Sequence, residues 1–445
     1  MTNSLPNVPG RLTELKKQLL DSVLKTPYST QETSRVSTRS ALESLLSPDS
    51  YMDRFVLACA LLSSSRSSTH ELLTWIPDHL STAAETAFSD LTKACDAVAW
   101  FGEKQKLVVQ LFPVIVPVLN DTIKKSSIDK SDETDEFSAA STRAILAANQ
   151  FRWFVCQIEY PDLDKMMNFV IHCALTCLDH WSPEVKGQGM ISFIHAAKNV
   201  NAGAFDLYGD MILGACCQNI ASTDAIWQYV VEMSVLLVTC IHRDNPRSLW
   251  FQKILTEMLI HLERQPWNRE RRIVWLTLID PIFNSMRLLL VAYSELIFPL
   301  LFQWLHVDDD ETVLLALKRL HTIVRLTWLV KSPYLEKLVK ELAVSYKKTT
   351  LRKAREEIRT SILNLLIMLQ QYKGIQFDRA WIKHRDDPYL TTLDHNLSVS
   401  RDYYLMSNRP EFFQPLRIDG IKTKEGSKLK AEETESKPGK MKIDD

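Results

Sequence analysis

Glycine is scarce in this chain. Only 11 of the 445 residues are glycine, where about 7% is usual, and hairpin-rich sheets, phosphate loops and dinucleotide folds all draw on its freedom at positive φ. The shortage points to helices. Excess charge of one sign is also missing: 53 Lys+Arg against 54 Asp+Glu leave a net charge of -1, so no overall field drives the chain onto nucleic acid or anionic lipid. Residues 1–10 hold two prolines and no basic-then-apolar order, so no secretory leader is expected. The most apolar stretch, 288–305, is interrupted by Glu295, Pro299 and Gln303. It falls short of the roughly 20 apolar residues that span a bilayer and reads as a buried helix. The patterns GxxxxGK[ST] and GxSxG are absent, and no GxGxxG follows a strand, which disfavours an NTPase, an α/β-hydrolase or a dinucleotide enzyme.

What is present describes a folded, soluble chain, 46% hydrophobic and 24% charged. Its length exceeds the roughly 250 to 300 residues that one core serves, so several domains or a repeat array are expected. Eight cysteines lie inside apolar runs, and without an export signal they are expected as reduced core residues of a cytoplasmic or nuclear protein. Residues 1–124 show helical patterns split by Ser, Thr and Pro clusters, which predicts short, irregular helices. The segment 125–138, with Asp129, Asp132, Glu133, Asp135 and Glu136, reads as an acidic, solvated linker. A repeat region is expected over 139–373, a C-terminal extension over 374–410 and a disordered tail over 411–445.

Within the repeat region, helical patterns recur about every 42 residues. One series starts after the capping residues Ser182, Asp224, Asn268 and Asp309, spaced 42, 44 and 41 apart. A second falls between them, at Leu163, Phe205, Leu249, Ala292 and Tyr334. Two helices per period of about 40 to 47 residues is the HEAT or armadillo pattern, in which a hairpin buries its apolar face only by stacking on its neighbours. The expected fold is therefore all-α, an α-solenoid without sheet. Asp308, Val313, Ala316 and Leu320 carry the HEAT spacing in its sharpest form.

Candidates for chemistry are few. The cluster Asp308, Asp309, Asp310 and Glu311 suits a hard cation, but it also lies where first-turn carboxylates cap free amides. Cys173, Cys177 and His180 share one helical face, with His172 beside them and Cys216 and Cys217 one repeat later. Structural zinc and plain core packing are the two readings of that face, and packing is the one adopted. A HEAT-repeat di-iron hydroxylase needs several His-Glu pairs, and the only adjacent pair is His70-Glu71. No metal, cofactor or catalytic residue is assigned, and an enzyme is not expected. The loop ERQPWNRERR stands out, because Trp beside Arg is the pairing enriched at binding hot spots. Trp267, Arg269, Arg271 and Arg272 are therefore candidate partner-binding residues, the alternative being a capped, solvated helix start.

The run from Trp153 to Trp328 resembles the second Tel-interacting subunit family of the triple-T (TTT) co-chaperone complex, within the HEAT/ARM-repeat superfamily. The likeness rests on the tryptophan helix and Pro-x-Leu turn in WFVCQIEYPDL and on Asp179 followed by Val185, Lys186, Gly189 and His195. It continues through Asn199, Val200 and Tyr208 to the helix closing in Thr327-Trp328; Leu329-Val330 stands where family members often have Pro-Arg. The resemblance implies a non-enzymatic adaptor that binds the other Tel-interacting subunit and Tel-two. Through them it would support phosphatidylinositol-3-kinase-related kinases with the Hsp90 machinery, without nucleic acid, membrane or small-molecule substrate. A HEAT adaptor of the transport-receptor or phosphatase-scaffold type is the alternative, and a metal-dependent enzyme the rival of another class.

Overall fold

The apolar periodicity is realised as helix, and no strand occurs among the described residues of this computed structural model, which are 9–28, 36–96, 104–128, 135–329 and 333–407. In chain order the helices begin with α1 (Pro9–Lys25), α2 (Thr38–Leu45), α3 (Met52–Ser64), α4 (Glu71–Thr74), α5 (Asp78–Asp96) and α6 (Lys104–Ile128). There follow α7 (Asp135–Cys156), α8 (Asp162–Asp179), α9 (Pro183–Asn199), α10 (Gly209–Asn219), α11 (Trp227–Ile241), α12 (Leu249–Arg264) and α13 (Arg269–Leu278). The last are α14 (Asp280–Met286), α15 (Ser294–Trp304), α16 (Asp310–Thr327), α17 (Leu335–Lys348), α18 (Arg355–Lys373), α19 (Ile375–Trp381) and α20 (Thr391–Ser407). The chain divides into two units, Met1–Leu397 and Ser398–Asp445. In the second, 398–407 are described, so the expected tail 411–445 lies outside the described residues.

In the first unit the helices stack as an α-solenoid in two rows. One row is α3, α7, α9, α11, α13, α16 and α18, each packed on the next. In the other row α6, α8, α10, α12 and α15 follow one another, and α17 joins through Tyr334, whose ring stacks on Phe298 of α15 at 5.0 Å. The two expected series of helices are these two rows. Buried apolar side chains from Leu15 to Leu397 form one connected cluster. Large rings fill the gaps between hairpins: Trp275 meets Trp304 edge-on at 5.8 Å and Phe283 at 6.0 Å.

The turns form two rims. Turns from the α7 row to the α8 row make one, and turns from the α8 row back to the α7 row make the other. On the second rim Asn268 and Asp309 act as the expected caps, accepting from the amides of Arg271 and Thr312. Ser182 occupies the cap position of α9 without a side-chain bond, and Asp224 opens a single 3-10 turn before α11. Asp309, not Asp308, caps α16, while Val313, Ala316 and Leu320 are fully buried as their spacing predicts.

Two expectations need correction. The region 1–124 was expected to hold short helices, yet α5 has 19 residues and α6 has 25. Its Ser and Thr side chains do not break these helices, because they bond back to carbonyls four residues earlier, as Thr82, Thr86, Thr92 and Thr122 do. The acidic segment 125–138 is helical at both ends, since α6 continues to Ile128 and α7 begins at Asp135. Residues 129–134 lie outside the described residues.

Three stretches, Leu107–Ser126, Asp224–Ile241 and Asp280–Trp304, have the length and apolarity to cross a membrane. In the structure Asp224–Ile241 is mostly α11, sandwiched between α9 and α13. Asp280–Trp304 is not one helix: Arg287 at φ 47° ends α14, and a 3-10 segment precedes α15.

Candidate protein-binding rim

On the second rim, polar side chains tie each helix start to the next repeat. Asn268 donates to Asp224 at 3.1 Å, and the Arg271 Nε bonds the same carboxylate at 2.5 Å while its Nη2 donates to the Ser222 carbonyl at 2.6 Å. One repeat on, Arg269 meets Asp309 at 3.0 Å and Glu311 at 2.7 Å. In the next repeat Arg352 meets Asp310 at 2.9 Å, and the same carboxylate accepts from the Ala354 amide at 2.9 Å. The bond from Ala354, set against burial and helped by Arg352, holds Asp310 below the usual carboxylate range. Asp309 is held low too: burial opposes, and bonds from Thr312 and Arg269 prevail. Of the acidic cluster 308–311, Asp309, Asp310 and Glu311 are thus engaged in a cap and in ion pairs with arginines. Among the described residues no group of three or more His, Cys, Asp and Glu side chains converges as a metal site.

The four expected partner-binding residues part company here. Trp267 is 93% exposed at the turn between α12 and α13. Arg269 is half-exposed and held by Asp309 and Glu311. Arg271, only 3% exposed, lies over the Trp227 ring at 4.6 Å, and the Trp227 Nε1 donates to the Arg271 carbonyl. Arg272 is buried as well and donates to the Pro266 carbonyl at 2.5 Å, and burial pushes its guanidinium pKa down. Arg271 and Arg272 therefore fix the loop from inside. The sequence carries a sign of this: Trp275 and Leu276, both buried, follow them by four residues, so all four share one helical face. Leu351, almost fully exposed in the turn before α18 and beside a cleft lined by His306, Asp308, Asp310, Lys348 and Arg352, was not among the expected residues. Its only sign is a leucine within the polar run TTLRK.

The cysteine and histidine face resolves into packing. Cys173, Cys177 and Cys216 are buried free thiols; burial pushes the Cys173 thiol up, helped by Cys177, and raises Cys216 to about 12. His180 turns to other partners: its Nδ1 accepts from the Ser182 amide at 3.0 Å, and its Nε2 is 3.3 Å from the Ser126 hydroxyl. His172 bonds the Asn168 carbonyl through Nδ1.

The remaining motif residues hold repeats together. Lys186 donates to Asn219 at 2.9 Å, His195 Nε2 lies 2.9 Å from the Ile158 carbonyl, and Tyr208 donates to Asn168 at 2.8 Å. Gly189 lets α9 press on α8, because a Cβ there would lie 2.5 Å from the Cys177 Cβ and 3.0 Å from the Ala174 carbonyl. Neither atom is a movable side-chain end. Gly189→Ala is expected to destabilise the chain by about 1 to 3 kcal/mol despite alanine's better helix propensity. Urea unfolding measures it, and a variant as stable as the wild type would show that the two helices separate freely.

No family model matches the chain. It is 49% identical over 423 residues to an Arabidopsis thaliana protein described as "Uncharacterized protein At2g39910", with 90% of this chain and 97% of the relative covered. An engineered protein solved as Northeast Structural Genomics Consortium target OR497 overlaps 89% of this chain and 98% of its own, at a TM-score of 0.39 and 10% identity.

Proposed function

The chain belongs to the family of the Arabidopsis thaliana protein At2g39910, and we propose that it is a non-enzymatic scaffold, a helical-repeat adaptor of the triple-T type. In this reading it holds another helical-repeat protein, the companion Tel-interacting subunit together with Tel-two. Through them it serves phosphatidylinositol-3-kinase-related kinases and the Hsp90 machinery in the cytoplasm and nucleus. No cofactor, metal, nucleic acid, membrane or small-molecule substrate enters the mechanism. The observation that carries the proposal is Trp267, a large ring exposed at the tip of a turn whose base is fixed by the buried Arg271 and Arg272. A fixed base keeps the ring oriented before binding, so little conformational freedom is lost when a partner covers it. Arg269, two residues further along the same rim and paired with Asp309, is the polar member of the anchor.

The test is co-purification from cells of the wild type and Trp267→Ala. Truncation of a hot-spot aromatic costs at least about 2 kcal/mol, roughly thirtyfold in affinity. Recovery of the companion subunit is expected to fall accordingly, with thermal melting unchanged because Trp267 is almost fully exposed. Equal recovery would remove Trp267 from the interface. Wild type that recovers neither Tel-two nor the companion subunit would end the triple-T assignment. Another repeat protein recovered with the same dependence on Trp267 would keep the scaffold and replace the partner.

A further inference from the structure

On the same rim as Trp267, at the two turns before it, lies a cleft of about 490 Å³ walled by the turn after α3 and by the starts of α9 and α11. Its walls hold more acceptors than the chain supplies with donors. Glu184 opens α9 there. Its Oε1 takes bonds from Gln188 at 2.8 Å, Asn149 at 3.3 Å and Ser68 at 3.4 Å, and no described residue donates to its Oε2. Glu71, exposed at the start of α4, has neither a side-chain hydrogen bond nor an ion pair among the described residues. Gln188, only 5% exposed, lines the same cleft and leaves its Oε1 without a partner. Its bond to Glu184 sets the amide's orientation, because turning it over would put oxygen against carboxylate. No lysine or arginine lines the cleft. The cations around it are engaged elsewhere: Arg66 with Glu85 at 3.0 Å, Lys186 with Asn219 at 2.9 Å, Arg152 with the Ser64 carbonyl at 3.1 Å and Arg271 with Asp224. His70 is the remaining basic side chain of the lining, and its Nδ1 accepts from the Leu72 amide at 3.3 Å, a bond that a doubly protonated ring cannot make.

The lining selects its occupant. A bare metal ion is not served, since no three His, Cys, Asp or Glu side chains converge among the described residues. An anion would meet two carboxylates, and an apolar group would leave the Gln188 oxygen unpaired, which is costly for a buried acceptor. The remaining walls are apolar or aromatic, from Pro183, Ile191, Ile226 and Tyr229. A guanidinium on an alkyl stem answers all of these features at once. Its planar fork of N–H donors reaches several acceptors, its face stacks on an aromatic ring, and its stem covers apolar surface. An ammonium has fewer donors and holds its water more tightly. We propose that this cleft binds an arginine side chain carried on a segment of a partner protein. Its volume lies in the range of sites that take small ligands. That the arginine belongs to a partner rests on the scaffold reading, to which it adds a second anchor on the Trp267 rim. That the cleft takes a guanidinium does not depend on it.

The experiment is saturation-transfer NMR on the purified full-length chain, titrated with N-acetyl-arginine amide, a probe that needs no partner. Thermal melting verifies the folding of each variant. The probe is expected to bind in the millimolar range and more weakly as salt rises. N-acetyl-citrulline amide, nearly the same shape without the charge, should bind at least about tenfold more weakly. Glu184→Gln should cost about tenfold or more, because a charge-assisted bond is lost. Since Glu184 also holds Asn149 and Gln188, Glu71→Gln provides a second measure that breaks no side-chain bond of the folded chain, with an expected loss of about two- to fivefold. Trp267→Ala should leave the probe bound as before, so failure of this site and failure of the scaffold reading are told apart. Free arginine that binds more tightly than the blocked probe would overturn the assignment to a partner's segment. No transfer to the probe, citrulline binding equal to arginine, or both glutamate variants binding like the wild type would overturn the site.

Discussion

Asp224→Ala is expected to destabilise the chain by about 3 to 5 kcal/mol, because it strands a buried guanidinium. Arg271 has almost no contact with water, and its Nε is paired with Asp224 across two turns 47 residues apart in sequence. The Ser222 carbonyl and the Trp227 ring remain after the substitution, so the lower end of the range is expected. Arg271→Met leaves Asp224, which is more than half exposed, free to hydrate, and its apolar chain keeps covering Trp227. Its cost should be smaller, and adding Asp224→Ala to it should cost little more. Urea unfolding of the four proteins gives the cycle. A change under about 1 kcal/mol for Asp224→Ala alone would mean that the guanidinium reaches water. That outcome would restore Arg271 as a surface anchor. The expected outcome leaves it structural and separates it from Trp267, whose removal should change binding and not stability.

The rows of helices are legible in the sequence because each row repeats a burial pattern at nearly constant spacing, and stacking is the only way those faces can leave water. The caps at Asn268 and Asp309 are legible for the same local reason. Asp224 shows what spacing alone cannot supply, since an acid at a cap position serves either its own helix or a neighbour's arginine. The arginine runs are similar: RERR reads as a solvated start, yet the face of Trp275 and Leu276 extends back onto Arg271 and Arg272. Exposure at the turns of the opposite rim was hidden because Leu207, Leu249 and Leu288 look like core residues one by one. Only the positions of the turns show that they point out. Trp328 misleads in the same way: it closes an apolar helix, but its left-handed backbone turns it outward.

Acid is expected to weaken the fold through His180, and the direction follows from its surroundings. The ring is fully buried. Its Nδ1 accepts from the Ser182 amide, which places the single ring proton on Nε2, facing the Ser126 hydroxyl. A second proton on Nδ1 would point at the amide hydrogen, and Lys186 adds positive charge nearby. Burial first, then Lys186, lowers the pKa from 6.5 to about 4. Between those values the unfolded chain binds a proton that the folded chain refuses, so stability falls as pH drops from about 6.5 to about 4 and changes no further below. The gap corresponds to about 3 kcal/mol at full extent. His242, His261, His321 and His384 are shifted the same way by burial, so the wild-type acid limb is a sum. His180→Asn isolates one contribution, since its side-chain oxygen can still accept from Ser182 and it does not titrate. Urea unfolding at pH 7 and pH 4.5 should show the variant weaker at pH 7 but losing about 2 to 3 kcal/mol less than the wild type on acidification. Equal losses would mean that His180 takes up its proton in the folded chain, with the turn between α8 and α9 opening to admit it.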